Sequence, residues 1–123
     1  MITIQEAISR AISIKGYEIL LDRRLLCNTL EDLSPDLYES IAFINRIITD
    51  AVGELLYKSY LAEKSQRDSY IIEIDRMLEE EEDRGTKSRK LFLSYFEFDI
   101  NEKTTNDKAK ANNKILLITP ILI

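Results

Sequence analysis

An all-α domain, a compact array of five or six short helices, is the fold the sequence predicts. Three observations carry that expectation. Apolar residues recur at helical spacing along most of the chain, helix-capping residues stand at the starts of those stretches, and only three glycines and two prolines occur in 123 residues. A β-rich fold needs many more of those two residues at its turns. One hydrophobic core commonly organises about 100 to 200 residues, so a single domain is expected.

Ile4, Ala7, Ile8, Ala11 and Ile12 fall at the spacing that lines one helix face, which predicts a helix over about residues 3 to 15. Its start is marked by Thr3 and Glu6, a pair able to form a reciprocal capping box. Gly16 supplies a terminating residue with left-handed freedom. From Tyr17 to Leu33 the leucines keep a helical rhythm. Asp22 is a capping residue, so one bent helix and two short helices both fit. Ser34-Pro35 is a firm break, serine serving as N-cap and proline as first helical residue. The next helix is expected from Pro35 to about Thr49, with Leu37, Ile41, Ile44, Ile48 and Ala51 on one side. Tyr38, Ala42 and Phe43 widen that stripe, which marks this as the central, most buried helix.

Asp50 and Gly53 interrupt the pattern, and a further helix is expected over Glu54 to Leu61. Ala62 to Arg67 reads as a turn or a solvated continuation. From Asp68, the residues Tyr70, Ile71, Ile74, Met77 and Leu78 resume helical spacing up to the acidic run Glu79 to Asp83. Negative charge there opposes the helix dipole, which predicts fraying before Gly85 ends the helix. A last helix is expected over Lys87 to Phe98 with Leu91, Phe92, Tyr95, Phe96 and Phe98 turned inward, although LFLSYFEF also has a strand reading that lacks a partner. The folded domain is thus expected to occupy residues 1–99. Residues 100–123, a polar stretch followed by ILLITPILI, are expected to form a disordered or loosely attached tail outside the core.

Several chemistries are disfavoured by what the chain lacks. There is no histidine, hence neither the commonest general base nor the commonest neutral metal ligand. The three glycines stand apart at 16, 53 and 85, so no phosphate-binding loop can be drawn. Cys27 cannot form an internal disulfide and reads as a packing cysteine in a reducing compartment, with Arg23 the only nearby help for a thiolate. Glu79 to Asp83 lacks the alternating ligands of a calcium loop and reads as a solvated charge run. Glu31 with Asp32, and Asp36 with Glu39, read as helix-surface acids. The net charge of −5 and pI near 4.8 make nucleic acid an unlikely partner. The apolar end is too short for a membrane span, which needs about 20 residues. It reads as a docking peptide, as a β-augmenting strand for a partner, which Pro120 disfavours, or as an extension without a selected role. No export signal is evident at the N-terminus, and a cytoplasmic location is expected.

The stretch GYEILLDRRLLCNTLEDLSPDLYESIAFI resembles a small helical domain that recurs at one end of bacterial multidomain proteins. Gly16, Leu21, Asp22, Arg23, Arg24, Leu30, Asp32 and Pro35 carry the likeness, which extends over residues 4 to 98 and is specific over 16 to 35. The resemblance implies an accessory interaction module with no catalytic residue. The expected function is therefore a non-catalytic helical adaptor without a cofactor, binding a protein partner. Arg23, Arg24, Tyr57 and Tyr60 are candidates for its surface, because aromatic residues and arginine favour interface centres. Lys87, Arg89 and Lys90 could dock an anionic partner or simply balance the acidic run. They also support the alternative of a small helix-turn-helix regulator of nucleic acid.

Overall fold

The computed structural model describes residues 2–80 and 86–98. These form six α-helices and two 3-10 turns without a strand among the described residues, the all-α array that the spacing predicts.

Helix α1, Ile4–Lys15, begins with both halves of the capping box in place. The Glu6 amide donates to Thr3 Oγ1 at 3.1 Å, and the Thr3 amide donates to Glu6 Oε1 at 3.0 Å. Two otherwise unpaired donors of the first turn are thereby satisfied. Those hydrogen bonds hold the Glu6 carboxyl below its ordinary pKa. Ile4, Ala7, Ile8 and Ala11 are buried, as their spacing requires. Gly16 ends the helix at φ 86° and ψ 169°, a positive φ as expected but with an extended ψ in place of the left-handed helical one. The chain therefore turns directly into the 3-10 turn Tyr17–Leu21, which buries Ile19 and Leu20. Asp22 then caps α2, Arg23–Leu33, its carboxylate accepting from the Leu25 amide at 3.1 Å. Of the two readings left open by the sequence, the divided one holds.

The helix expected to start at Pro35 starts later. Ser34 makes no side-chain capping bond; instead the Leu37 amide donates to the Ser34 carbonyl at 3.1 Å and closes the 3-10 turn Pro35–Leu37. Helix α3 runs over Tyr38–Ile47. It stops before Thr49 because Ile48 is extended and the Thr49 hydroxyl accepts from the Val52 amide at 3.2 Å, capping α4, Asp50–Leu61. Ala51 accordingly belongs to α4 and is exposed, while Tyr38 and Ala42 are exposed on α3. The central position assigned to α3 passes to α4, which packs on the Tyr17–Leu21 turn and on α5, Lys64–Glu79. Helix α3 rests chiefly on α2 and meets α6 through edge-on contacts of Phe43 with Phe92 and Tyr95.

Gly53 does not interrupt α4; it is buried inside it. A Cβ there would lie 2.6 Å from the carbonyl oxygen of Leu20, so glycine is what lets the helix touch the 3-10 turn. Helix α6, Thr86–Tyr95, buries Phe92 and Leu93 and leaves Leu91 exposed, a partial correction to the expected inward set. Its end is a Schellman motif. The Phe98 amide donates to the Leu93 carbonyl, the Glu97 amide donates to that of Ser94, and Glu97 has φ 61°. Phe98 is thereby folded back onto the core, buried with its ring against Tyr60. Gly85, most of the acidic run and the tail over 100–123 lie outside the described residues.

The buried aliphatic and aromatic side chains of α1 to α6 form one cluster. Each contributes about 1.5–3 kcal/mol by leaving water, which helices this short require because none is stable alone.

Gly53→Ala is expected to destabilise the protein by about 1–2 kcal/mol, the overpacking against Leu20 exceeding the gain of about 1 kcal/mol in helix propensity. Glu97→Gly is expected to stabilise it by about 0.5–1 kcal/mol by removing a side chain from a left-handed residue. Urea midpoints read both, and a stabilised Gly53→Ala would contradict the described contact.

Candidate functional site

Helices α2 and α3 flank an open groove of about 630 Å3, lined by Arg23, Arg24, Cys27, Asn28, Glu31, Tyr38, Ile41, Ala42 and Asn45. Cys27 and Ile41 are buried and form its floor, whereas Arg24, Asn28, Glu31, Tyr38, Ala42 and Asn45 are exposed along it. The spacing of 24, 28 and 31 follows from helix geometry, which sets residues three and four apart on one face. Tyr38 is 66% exposed, although its sequence position fits the core stripe of α3.

Arg23 is fastened rather than free. Its Nη1 donates to the carbonyls of Asn45 at 3.3 Å and Ile48 at 3.2 Å. Helix α3 ends without a glycine, and the guanidinium takes up its terminal carbonyls where a cation is favoured by the helix dipole. Arg24 makes no such bond and stands exposed at the rim. The Cys27 thiol donates weakly to Asn45 Oδ1 at 3.8 Å. Burial pushes its pKa up, against a smaller lowering by Arg23, so thiolate is scarce at neutral pH and the group is a poor nucleophile.

The other predicted residues lie elsewhere. Tyr60 stacks on Tyr17 with ring centroids 5.4 Å apart, tilts against Phe98 at 4.9 Å, and donates its hydroxyl to the Phe96 carbonyl at 2.7 Å. Burial holds its phenol far above the usual range, with Glu97 adding to the effect. Two shallow pockets of about 380 and 280 Å3 share Tyr17, Tyr60 and Glu97 in their walls. Tyr57 is half-buried against the core. Arg89 is largely buried and pairs with Asp75 at 2.8 Å, joining α6 to α5. Lys87 and Lys90 are exposed. Only Arg23 and Arg24 among the seven candidates share the α2/α3 groove.

Asn28, Glu31, Tyr38, Ala42 and Asn45 were not anticipated as site residues. The polar positions at 24, 28 and 31 are visible in the sequence as one helix face, but nothing local shows that α3 lies beside them. Arg67 is likewise structural, donating through Nε to the Ser59 carbonyl at 3.0 Å and through Nη2 to that of Ala62 at 3.3 Å, which caps α4.

Among the described residues no group of three or more cysteines or carboxylates is placed to hold a metal ion, and no helix is long and apolar enough to cross a membrane. No family profile, curated protein or solved structure matches the chain.

Tyr60→Phe removes the donor to a part-buried carbonyl, and a loss of about 1–2 kcal/mol is expected. The raised pKa of Tyr60 in the fold means that its contribution is fully present below the unfolded tyrosine value and declines as pH rises through the folded one. Wild-type stability should therefore fall more steeply than that of Tyr60→Phe above about pH 10. Urea midpoints at a neutral and an alkaline pH measure this, and a gap between the two proteins that does not narrow would contradict it.

Proposed function

We propose that the chain is a non-catalytic helical adaptor, a protein-interaction module whose docking surface is the α2/α3 groove. The observation that carries this reading is that the core closes without the groove, yet Tyr38 remains 66% exposed beside it with Ala42 and the floor residue Ile41. An aromatic ring held in water at the edge of a concave, mixed polar and apolar surface is the arrangement that interface centres favour. The groove is suited to an amphipathic helix laid along it.

A catalytic role has little to work with. The chain has no histidine, and its one thiol is buried with a raised pKa. The resemblance of residues 16 to 35 to an accessory domain of bacterial multidomain proteins suits the adaptor reading, and the proposal includes a cytoplasmic setting, in which Cys27 would stay reduced. Regulation of nucleic acid by a helix-turn-helix is disfavoured by the net charge of −5 and by the commitment of Arg89 to Asp75.

Ala42→Arg places a long cation in the groove at an exposed helix position, where folding tolerates it. A protein retained from native lysate by the wild-type chain is expected to be retained at least about tenfold less by Ala42→Arg, with thermal melting unchanged. Equal retention by Ala42→Arg would contradict the groove as a docking surface. A salt-sensitive shift of duplex DNA would instead favour the regulator.

A further inference from the structure

The charges of α2 are arranged against its own dipole. Arg23 and Arg24 occupy its first turn and Glu31 and Asp32 its last; only the N-cap Asp22 sits where the dipole favours it, and no base stands at the end. An isolated helix prefers the reverse. Arg23 is compensated by the terminal carbonyls of α3. Arg24 and Glu31 are not: both are exposed, both line the groove, and neither forms a salt bridge or side-chain hydrogen bond with another described residue.

The same charges are complementary to themselves when reversed. About a centre between Cys27 and Asn28, Arg24 mirrors Glu31 and Arg23 mirrors Asp32. We propose that the partner of the α2/α3 groove is a second copy of this chain, with the two α2 helices antiparallel across a two-fold axis beside Asn28. Arg24 of each copy then meets Glu31 of the other. These positions are seven residues apart, a rise of about 10.5 Å, so the two pairs flank the axis and leave Asn28 near it. Antiparallel packing also sets the positive end of each helix dipole beside the other copy's acids. Such an interface is isologous, the same patch serving both subunits. Tyr38, exposed at the groove, would cover the apolar floor of the opposite subunit. This inference rests on the groove being a docking surface and names its occupant.

Sedimentation of the full chain over a roughly hundredfold concentration range should show a monomer–dimer equilibrium that weakens with salt. Arg24→Glu should weaken the dimer at least about tenfold, and Arg24→Glu with Glu31→Arg should restore it to within about threefold of wild type. Arg24→Glu replaces a cation with an anion in the first turn of α2, so the monomer should remain folded, as its far-UV circular dichroism would show. Asn28→Cys in a Cys27→Ser background should form an intermolecular disulfide under mild oxidation. A wild-type chain monomeric at every concentration would overturn the proposal, as would a dimer indifferent to Arg24→Glu or one that the double exchange fails to restore. A monomer whose lysate partner is still lost on Ala42→Arg would sink the second copy as occupant while sparing the adaptor; retention unaffected by Ala42→Arg would sink the adaptor reading itself.

Discussion

The approach of α4 to the carbonyl of Leu20 fixes the placement of the other elements. Gly53 is the only residue type that permits it, since any Cβ would stand 2.6 Å from that oxygen. The 3-10 turn that carries Leu20 is also in contact with α1 and α2, so one five-residue segment orients three helices at once. Its own geometry is set at both ends, by the positive φ of Gly16 and by Asp22 capping α2. Helix α5 then packs on α4, and α6 closes over α1 and α5. Tyr60 fastens that closure through its bond to the Phe96 carbonyl. Close packing transmits a misfit at any of these points to the rest, because the interior has no slack to absorb it.

Helix ends explain how the fold and the candidate site are joined. Neither α3 nor α4 has a terminal glycine, and in each case an arginine from another part of the chain takes the free carbonyls. Arg67 does this within the core's supporting shell. Arg23 does it across the groove, tying α2 to α3 and setting the groove's width. The same arginine thus holds the site open and is consumed in doing so. In the proposed reading, recognition is left to Arg24, Glu31, Tyr38 and Ala42, which are exposed along the groove. A surface that adds little to the stability of its own domain is where an interaction module can vary without unfolding.

The sequence made α1 fully legible because both halves of its capping box and its apolar face are local features. Asp22 marked the start of α2 for the same reason. Gly53 was misleading: glycine in a helix usually signals a break, and only the distant Leu20 carbonyl explains why this one sits inside α4. Tyr38 and Leu91 fit helical stripes by spacing but face solvent, since the phase of a helix against its neighbours is a tertiary property. Arg23 and Arg24 look alike in the sequence, but Arg24 is exposed at the rim whereas Arg23 is committed to carbonyl partners 22 and 25 residues away. Arg89 belongs to the same class, its ion pair with Asp75 spanning 14 residues. Local chemistry reads well from sequence. Contacts between separate elements are where residues of identical character part ways.

Native-state hydrogen exchange tests the organising role of the Tyr17–Leu21 turn most directly. The Ile19 amide is bonded to the Gly16 carbonyl and the Asp22 amide to that of Ile19, both within a short 3-10 turn that would fray quickly if it were merely a connector. If the turn organises the helices around it, these amides exchange only through global unfolding, at the same free energy as the buried amides of α4. Exchange at Ile19 and Asp22 that runs far ahead of α4, with α4 still protected, would show that the helices hold together without the turn and would contradict the dependence of the fold on the contact between Gly53 and Leu20.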